Sequence, residues 1–218
     1  MHDIVNLNGA ISYFGGNAVS ISIILWSILR FQINRLDLLR IIIGVALTYL
    51  LAISLGVILL SLTQLVVPNP DDSLPLTMFV SALTEELIKC SLYVLFFRGI
   101  YRVQTIIIFG LVFGVVEIFL TNVPLSFSNM KSTNLHFFLH PSFLLILFYI
   151  ANKSAFKNSK TVVLGITVAC IAHILNNFLA EYINWLYPFF FSALMIFSYS
   201  VLRNELKYPI SETNTRST

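Results

Sequence analysis

Charged side chains interrupt one apolar segment of this sequence at Glu85, Glu86 and Lys89. The surrounding residues, 76–97, otherwise have the composition of a membrane span. Placing an ionised side chain at the centre of a bilayer costs roughly 2.5–3.5 kcal/mol on insertion scales. Ionisable residues within a span therefore indicate a functional site, and other spans should supply partners for them.

Three later apolar segments also contain polar side chains that lipid would not tolerate. With a rise of about 1.5 Å per residue, most of them lie on the order of 6–14 Å from the same membrane surface as Glu85. We therefore predict that they share one pocket in that half of the bilayer. His136, at the end of its segment, is expected to lie at the interface instead. The residues are Glu117, His136, His140, His173, Asn176 and Asn177.

Small residues occur on the same helical faces as these polar groups. Gly110 and Gly114 form a GxxxG pattern, and Glu117 follows three residues later. Glycines at this spacing allow two helix backbones to approach closely, so Glu117 should face a neighbouring helix. Gly165, Ala169, His173 and Asn177 repeat the arrangement at intervals of four residues.

The chemistry open to such a set is hydrolysis. A desolvated glutamate can act as a general base toward water, and a histidine or an asparagine can stabilise an oxyanion. Two glutamates and two histidines would also suffice as zinc ligands, namely Glu86, Glu117, His140 and His173. The chain contains neither an HExxH nor a GxSxG pattern. Lys89 is expected to pair with Glu85 one helical turn away and to take no part in the chemistry.

The composition indicates the elements that hold these residues. Of the 218 residues, 57% are hydrophobic and 11% are charged, whereas soluble domains carry about 25% charge. We predict an all-α polytopic membrane protein whose single helical domain, 1–210, ends in a polar tail, 211–218. The site lies on the spans within 76–180. The seven predicted spans are 11–29, 41–67, 76–97, 103–121, 136–151, 161–180 and 185–202.

The loop charges predict the orientation in the cell membrane. Arg and Lys residues cluster after the first, third, fifth and seventh spans, whereas Lys131 is the basic residue predicted for the other side. Because cytoplasmic loops are enriched in basic residues, the N-terminus should lie outside and the C-terminus inside. Cys90 and Cys170 fall within spans and indicate no disulfide. The net charge of +3 reflects the basic residues of the loops that set the membrane orientation, and it does not indicate nucleic-acid binding.

At this point the chain resembles a known family, the PrsW group. The resemblance rests on four motifs in order: Glu85-Glu86-x-x-Lys89, then Phe113-x-x-x-Glu117 after Gly110, then His140, then His173-x-x-x-Asn177. This group belongs to the glutamic-type intramembrane proteases, which also include the CAAX prenyl endopeptidases and the Abi proteins.

The resemblance implies hydrolysis of peptide bonds in membrane-protein substrates. By that analogy Glu85 or Glu86 would activate water, and His140 and His173 would bind the water or stabilise the intermediate. Asn177 would complete the oxyanion site, and Glu117 would support the pocket. PrsW proteins typically have Asp at the position of Asn177, where Asn is similar to the CAAX branch.

Two other functions compete with this hypothesis. The APH subunit of gamma-secretase is similar to the same superfamily and acts as a scaffold with seven spans. The acidic residues of this chain favour an enzyme, because that scaffold has largely lost them. A proton- or ion-coupled transporter is the third possibility, since Glu, Lys and His also form proton relays. The sequence shows no internal repeat of the kind that transporters often carry.

Overall fold

A computed structural model describes residues 21–67, 70–98, 101–120, 127–152, 154 and 156–207. Within these ranges the chain forms seven helices and no strand, which confirms the all-α prediction. Each helix corresponds to one predicted span. The tail 211–218 and residues 11–20 of the first predicted span lie outside the described residues. The helices are α1 (Ile21–Arg30), α2 (Arg35–Val66), α3 (Pro70–Phe96), α4 (Val103–Leu120), α5 (Phe127–Asn152), α6 (Ser159–Tyr182) and α7 (Tyr187–Lys207).

Several helices extend beyond the apolar segments that predicted them. The fifth predicted segment was the shortest, yet α5 has 26 residues and begins nine residues before His136. Helix α2 begins at Arg35 because Asn34 caps it: its Oδ1 accepts a hydrogen bond of 2.7 Å from the backbone N–H of Asp37. Hydropathy marks the apolar part of a helix, whereas capping side chains set its end.

Helix α5 lies at the centre of the bundle and packs against α4, α6 and α7. Helix α3 packs against α2 and α6, and α2 also contacts α4. The core between these helices is largely aromatic and aliphatic, with Phe109, Phe113, Phe143 and Leu147 almost fully buried. The polar residues of α3 to α6 therefore reach each other only through the interior of the bundle.

Glycines fix the close approach of α4 to α5. A Cβ at Gly110 would lie 2.5 Å from both the Cα and the backbone nitrogen of Pro141. A Cβ at Gly114 would lie 3.1 Å from Cδ2 of His140 and 3.2 Å from Cα of Phe137. The GxxxG pattern thus brings α4 directly onto the turn of α5 that contains His140.

The surface of the bundle is apolar. Leu65 and Trp185 are 81% and 73% exposed, and many other large aliphatic side chains face outward. Two helices of the described residues are long and apolar enough to cross a membrane, over Arg35–Thr63 in α2 and over the whole of α6. Three shorter stretches are also apolar: Ile21–Arg30, Val103–Glu117 and Phe137–Asn152. That every helix crosses the bilayer stays a prediction.

Replacing Gly110 with alanine should push α4 away from α5. The added methyl meets backbone atoms that cannot turn aside, so we expect a loss of roughly 1–3 kcal/mol in the free energy of unfolding. Gly56→Ala is the matched control, because a Cβ there meets nothing within 4 Å. It should be neutral or stabilising by up to about 1 kcal/mol through helix propensity. Thermal unfolding of the purified variants measures both, and equal melting temperatures would contradict the tight contact.

Candidate functional site

Helix α3 carries three charged side chains into the bundle. Glu86 and Lys89 are 0% exposed, whereas 16% of the Glu85 side chain remains exposed. Adjacent residues of a helix point about 100° apart, so the two glutamates face different neighbours. Glu86 turns toward α6, and Glu85 lies at the edge of the cluster, between His140 of α5 and His173 of α6.

The ammonium of Lys89 lies at the centre of the cluster. Its Nζ is 2.6 Å from Oε2 of Glu86 and 3.3 Å from Oε1 of Glu85. It is also 3.0 Å from Nδ1 of His140. Three acceptors match the three N–H donors of an ammonium. The predicted pair with Glu85 is present, but the closer partner of Lys89 is Glu86.

His140 of α5 connects Lys89 to α4. An ammonium can only donate, so Nδ1 of His140 accepts from Lys89 and the ring proton resides on Nε2. Nε2 then donates to Oε2 of Glu117 across 2.5 Å. Glu117 is 25% exposed, so this carboxylate forms a second open edge of the cluster. The hydrogen bonds therefore fix both the tautomer and the orientation of His140.

His173 of α6 contacts both glutamates of α3. Its Nδ1 lies 3.1 Å from Oε2 of Glu86 and 3.8 Å from Oε1 of Glu85. The ring stacks on Phe143, with centroids 4.8 Å apart and planes 15° from parallel. When Nδ1 donates to Glu86, Nε2 keeps a lone pair that can accept a proton or a hydrogen bond.

The structure thus brings together Glu85, Glu86 and Lys89 with His140 and His173, and it adds Glu117 through His140.

Asn177 does not join these contacts within the described residues. Its Oδ1 accepts a hydrogen bond of 3.2 Å from Nδ2 of Asn176, and its role stays a prediction. The side chain of His136 is not among those described.

Sequence reasoning missed several residues that enclose the cluster. Phe113 and Phe143 place their rings 4.8 and 5.8 Å from the Lys89 ammonium, close enough for cation–π attraction. Tyr49 of α2 lies beside Phe113, with ring centroids 6.3 Å apart. The thiol of Cys90 donates a hydrogen bond of 3.4 Å to Oε1 of Glu86. Phe113 belongs to the second motif of the family resemblance but had no role assigned to it, whereas no sequence signal marks Phe143 among the 19 Phe of the chain.

A zinc ion bound by all four predicted ligands does not fit this arrangement. The four predicted ligands do not form one group; the ligand atoms fall into two sets, one of Glu85, Glu117 and His140, the other of Glu85, Glu86 and His173. The Lys89 ammonium already contacts an acceptor atom in each set. A divalent cation placed there would be repelled at close range by a positive charge that is itself fully buried.

Replacing Lys89 with methionine should be strongly destabilising. The substitution keeps the volume but leaves Glu86 as a buried charge without its counter-ion, which costs roughly 3–5 kcal/mol. Adding Glu86→Gln should recover more than about 1 kcal/mol of that loss, because the two groups are coupled. Lys160→Met, at an exposed position of α6, is the control and should change stability by no more than about 0.5 kcal/mol. Additive losses in the double variant would refute the pairing. Unfolding in detergent measures the wild type, these variants and the single Glu86→Gln variant, whose own loss is needed to test additivity.

Comparison with known proteins identifies no relative of this chain. No family model matches the chain, and neither a curated protein nor a solved structure is significantly similar to it. The family assignment therefore rests on the resemblance of the four motifs and stays a prediction.

Proposed function

We propose that the chain is a polytopic membrane protein in which all seven helices cross the bilayer. Large apolar side chains cover the outside of the bundle, whereas its charged side chains on α3 pair with each other inside. This inversion of a soluble protein's pattern is what a lipid environment requires. The loop charges support an N-terminus outside and a C-terminus in the cytoplasm.

Single introduced cysteines test this topology. Lys157 and Glu181 are exposed near opposite ends of α6, and the native Cys90 and Cys170 are buried. In intact cells, Glu181→Cys should react with an impermeant maleimide and Lys157→Cys should react only after lysis. The reverse pattern would invert the orientation, and labelling of both sites before lysis would contradict a spanning α6.

The site supports an intramembrane endopeptidase that uses glutamate-activated water. The observation that carries this proposal is the hydrogen-bonded cluster of three glutamates and two histidines contributed by four helices. Its two open edges, Glu85 and Glu117, give water access to an otherwise buried set. The substrate is another membrane protein, cleaved near the outer boundary of the bilayer.

Of the two adjacent glutamates, Glu85 is better placed to be the base. Glu86 is fully buried and engaged by Lys89, His173 and Cys90, whereas part of Glu85 is exposed. Glu85 takes a proton from water as the water oxygen bonds to the scissile carbonyl carbon. The proton then passes to the leaving nitrogen as the C–N bond breaks.

The remaining residues position this reaction. Glu86 orients His173 through Nδ1, so that Nε2 can hold the attacking water. Glu117 orients His140 through Nε2, and Lys89 occupies Nδ1 of the same ring. Lys89 pairs with both α3 carboxylates and contributes positive potential where the carbonyl oxygen becomes negative. No step of this mechanism depends on a metal ion.

A scaffold role is the second candidate, and one observation favours it. Glu86, Lys89 and His173 satisfy one another inside the bundle, so they could hold α3 against α6 without any chemistry. A scaffold role does not explain why Glu85 and Glu117 are partly exposed.

Cleavage of single-span substrates by the purified protein in liposomes tests the proposal. Glu85→Gln should lower the cleavage rate by about 10²–10⁴-fold, because it removes the base while keeping the side-chain shape. Glu181→Gln, an exposed acid on α6, is the control and should leave the rate unchanged. Chelators should have no effect.

If the folded wild type proves as inert as Glu85→Gln across a broad panel of substrates, the scaffold role is the better account. If Glu85→Gln cleaves as fast as wild type, another group is the base.

A further inference from the structure

Asn176 carries the one buried side-chain oxygen or nitrogen that finds no hydrogen-bond partner within the described part of the chain. The residue is 0% exposed, and its Nδ2 donates to Oδ1 of Asn177 at 3.2 Å. Its own Oδ1 is left as an acceptor without a donor. An acceptor buried in this way costs free energy unless water or a ligand supplies the missing hydrogen.

The position of Asn176 links this oxygen to the proposed site. The buried face of α6 includes Ala169, Cys170, His173, Asn176 and Leu179. Residues three apart on a helix are neighbours, so Asn176 adjoins His173, whose Nδ1 contacts Glu86 and Glu85. Asn176 also lies nearer than His173 to the C-terminal end of α6, the end at which substrate cleavage is proposed to occur.

Asn177, the residue that the family resemblance assigns to the site, is less suited to this position. It is only partly buried, and its Oδ1 is already used by Asn176. Asn177 holds the Asn176 amide by accepting a hydrogen bond from Nδ2, and this leaves Oδ1 of Asn176 as a buried acceptor without a donor.

We infer that Oδ1 of Asn176 binds a backbone N–H of the substrate beside the scissile bond, an inference that rests on the proposed endopeptidase function. A backbone N–H is the donor that every peptide substrate supplies. Within a helix those groups are already bonded to carbonyls four residues earlier, so the donor must come from an unwound segment or a helix end. Asn176 would therefore select membrane segments whose backbone is extended near the cleaved bond.

Binding and cleavage of one peptide in two forms test this inference. The first form is a fluorescent single-span peptide. The second form is a series of the same peptide, each member with an N-methyl group on a different amide near the cleaved bond. Binding is measured on the folded Glu85→Gln background, so it does not depend on turnover. Asn176→Leu removes the acceptor with little change in volume. Asn177→Leu is the comparison variant, because it keeps the acceptor and removes only the hydrogen bond that holds the Asn176 amide.

Asn176→Leu should raise the Kd of the unmodified peptide roughly tenfold, the size expected for one hydrogen bond. N-methylation at one position should weaken binding to the parent protein by a similar factor and should add no further loss in Asn176→Leu. In the cleavage assay the same variant should raise KM more than it lowers kcat. Asn177→Leu should show a smaller effect at every N-methyl position.

Two results would overturn the inference. The first is unchanged peptide binding by an Asn176→Leu protein whose melting temperature is equal to or higher than that of the parent. This result would mean that the oxygen does not contact the substrate. A fall in kcat with equal Kd for both peptide forms would assign the oxygen to a bound water. If the wild type binds the peptide as expected but does not cleave it, the endopeptidase proposal fails while the assignment of Asn176 as a peptide-binding residue stands.

Discussion

The arrangement of α3, α5 and α6 depends on the buried positive charge of Lys89. Its ammonium contacts two carboxylates of its own helix and the imidazole of His140. Each of those acceptors then contacts another helix, so α4 and α6 are joined to α3 through side chains that Lys89 holds in place. A buried charge is tolerated only when it is paired, and this requirement restricts the relative positions of four helices.

Close backbone packing allows these short side chains to meet. Gly110 admits the backbone of Pro141, and Gly165 admits that of Leu147, so α5 lies against α4 on one side and α6 on the other. With larger residues at either position His140 would be displaced from Glu117 or from Lys89. The polar cluster and the small-residue contacts therefore depend on each other. The small residues set the distance between the helices, and the polar side chains are only long enough to meet at that distance.

Much of this could be predicted from the sequence because helical periodicity is regular. The apolar segments predicted all seven helices, and counting residues along each span predicted that the glutamates and histidines would lie near one another. Periodicity does not give the rotation of a helix about its axis, so it could not predict that Glu86 is buried while Glu85 reaches the edge. It also could not distinguish Asn176 from Asn177, identify Phe143 or place the ring of Phe113 beside Lys89, since these depend on how neighbouring helices pack.

That two partners of Lys89 belong to its own helix has a consequence for biosynthesis. Glu85 and Glu86 lie four and three residues before it, so the ion pairs can form as soon as α3 is helical. If α3 crosses the bilayer as proposed, it brings its own counter-ions into the membrane long before His140 and His173 have been translated. The three charges would then be inserted as one paired unit with a net charge of −1, and the helices made afterwards would assemble around it.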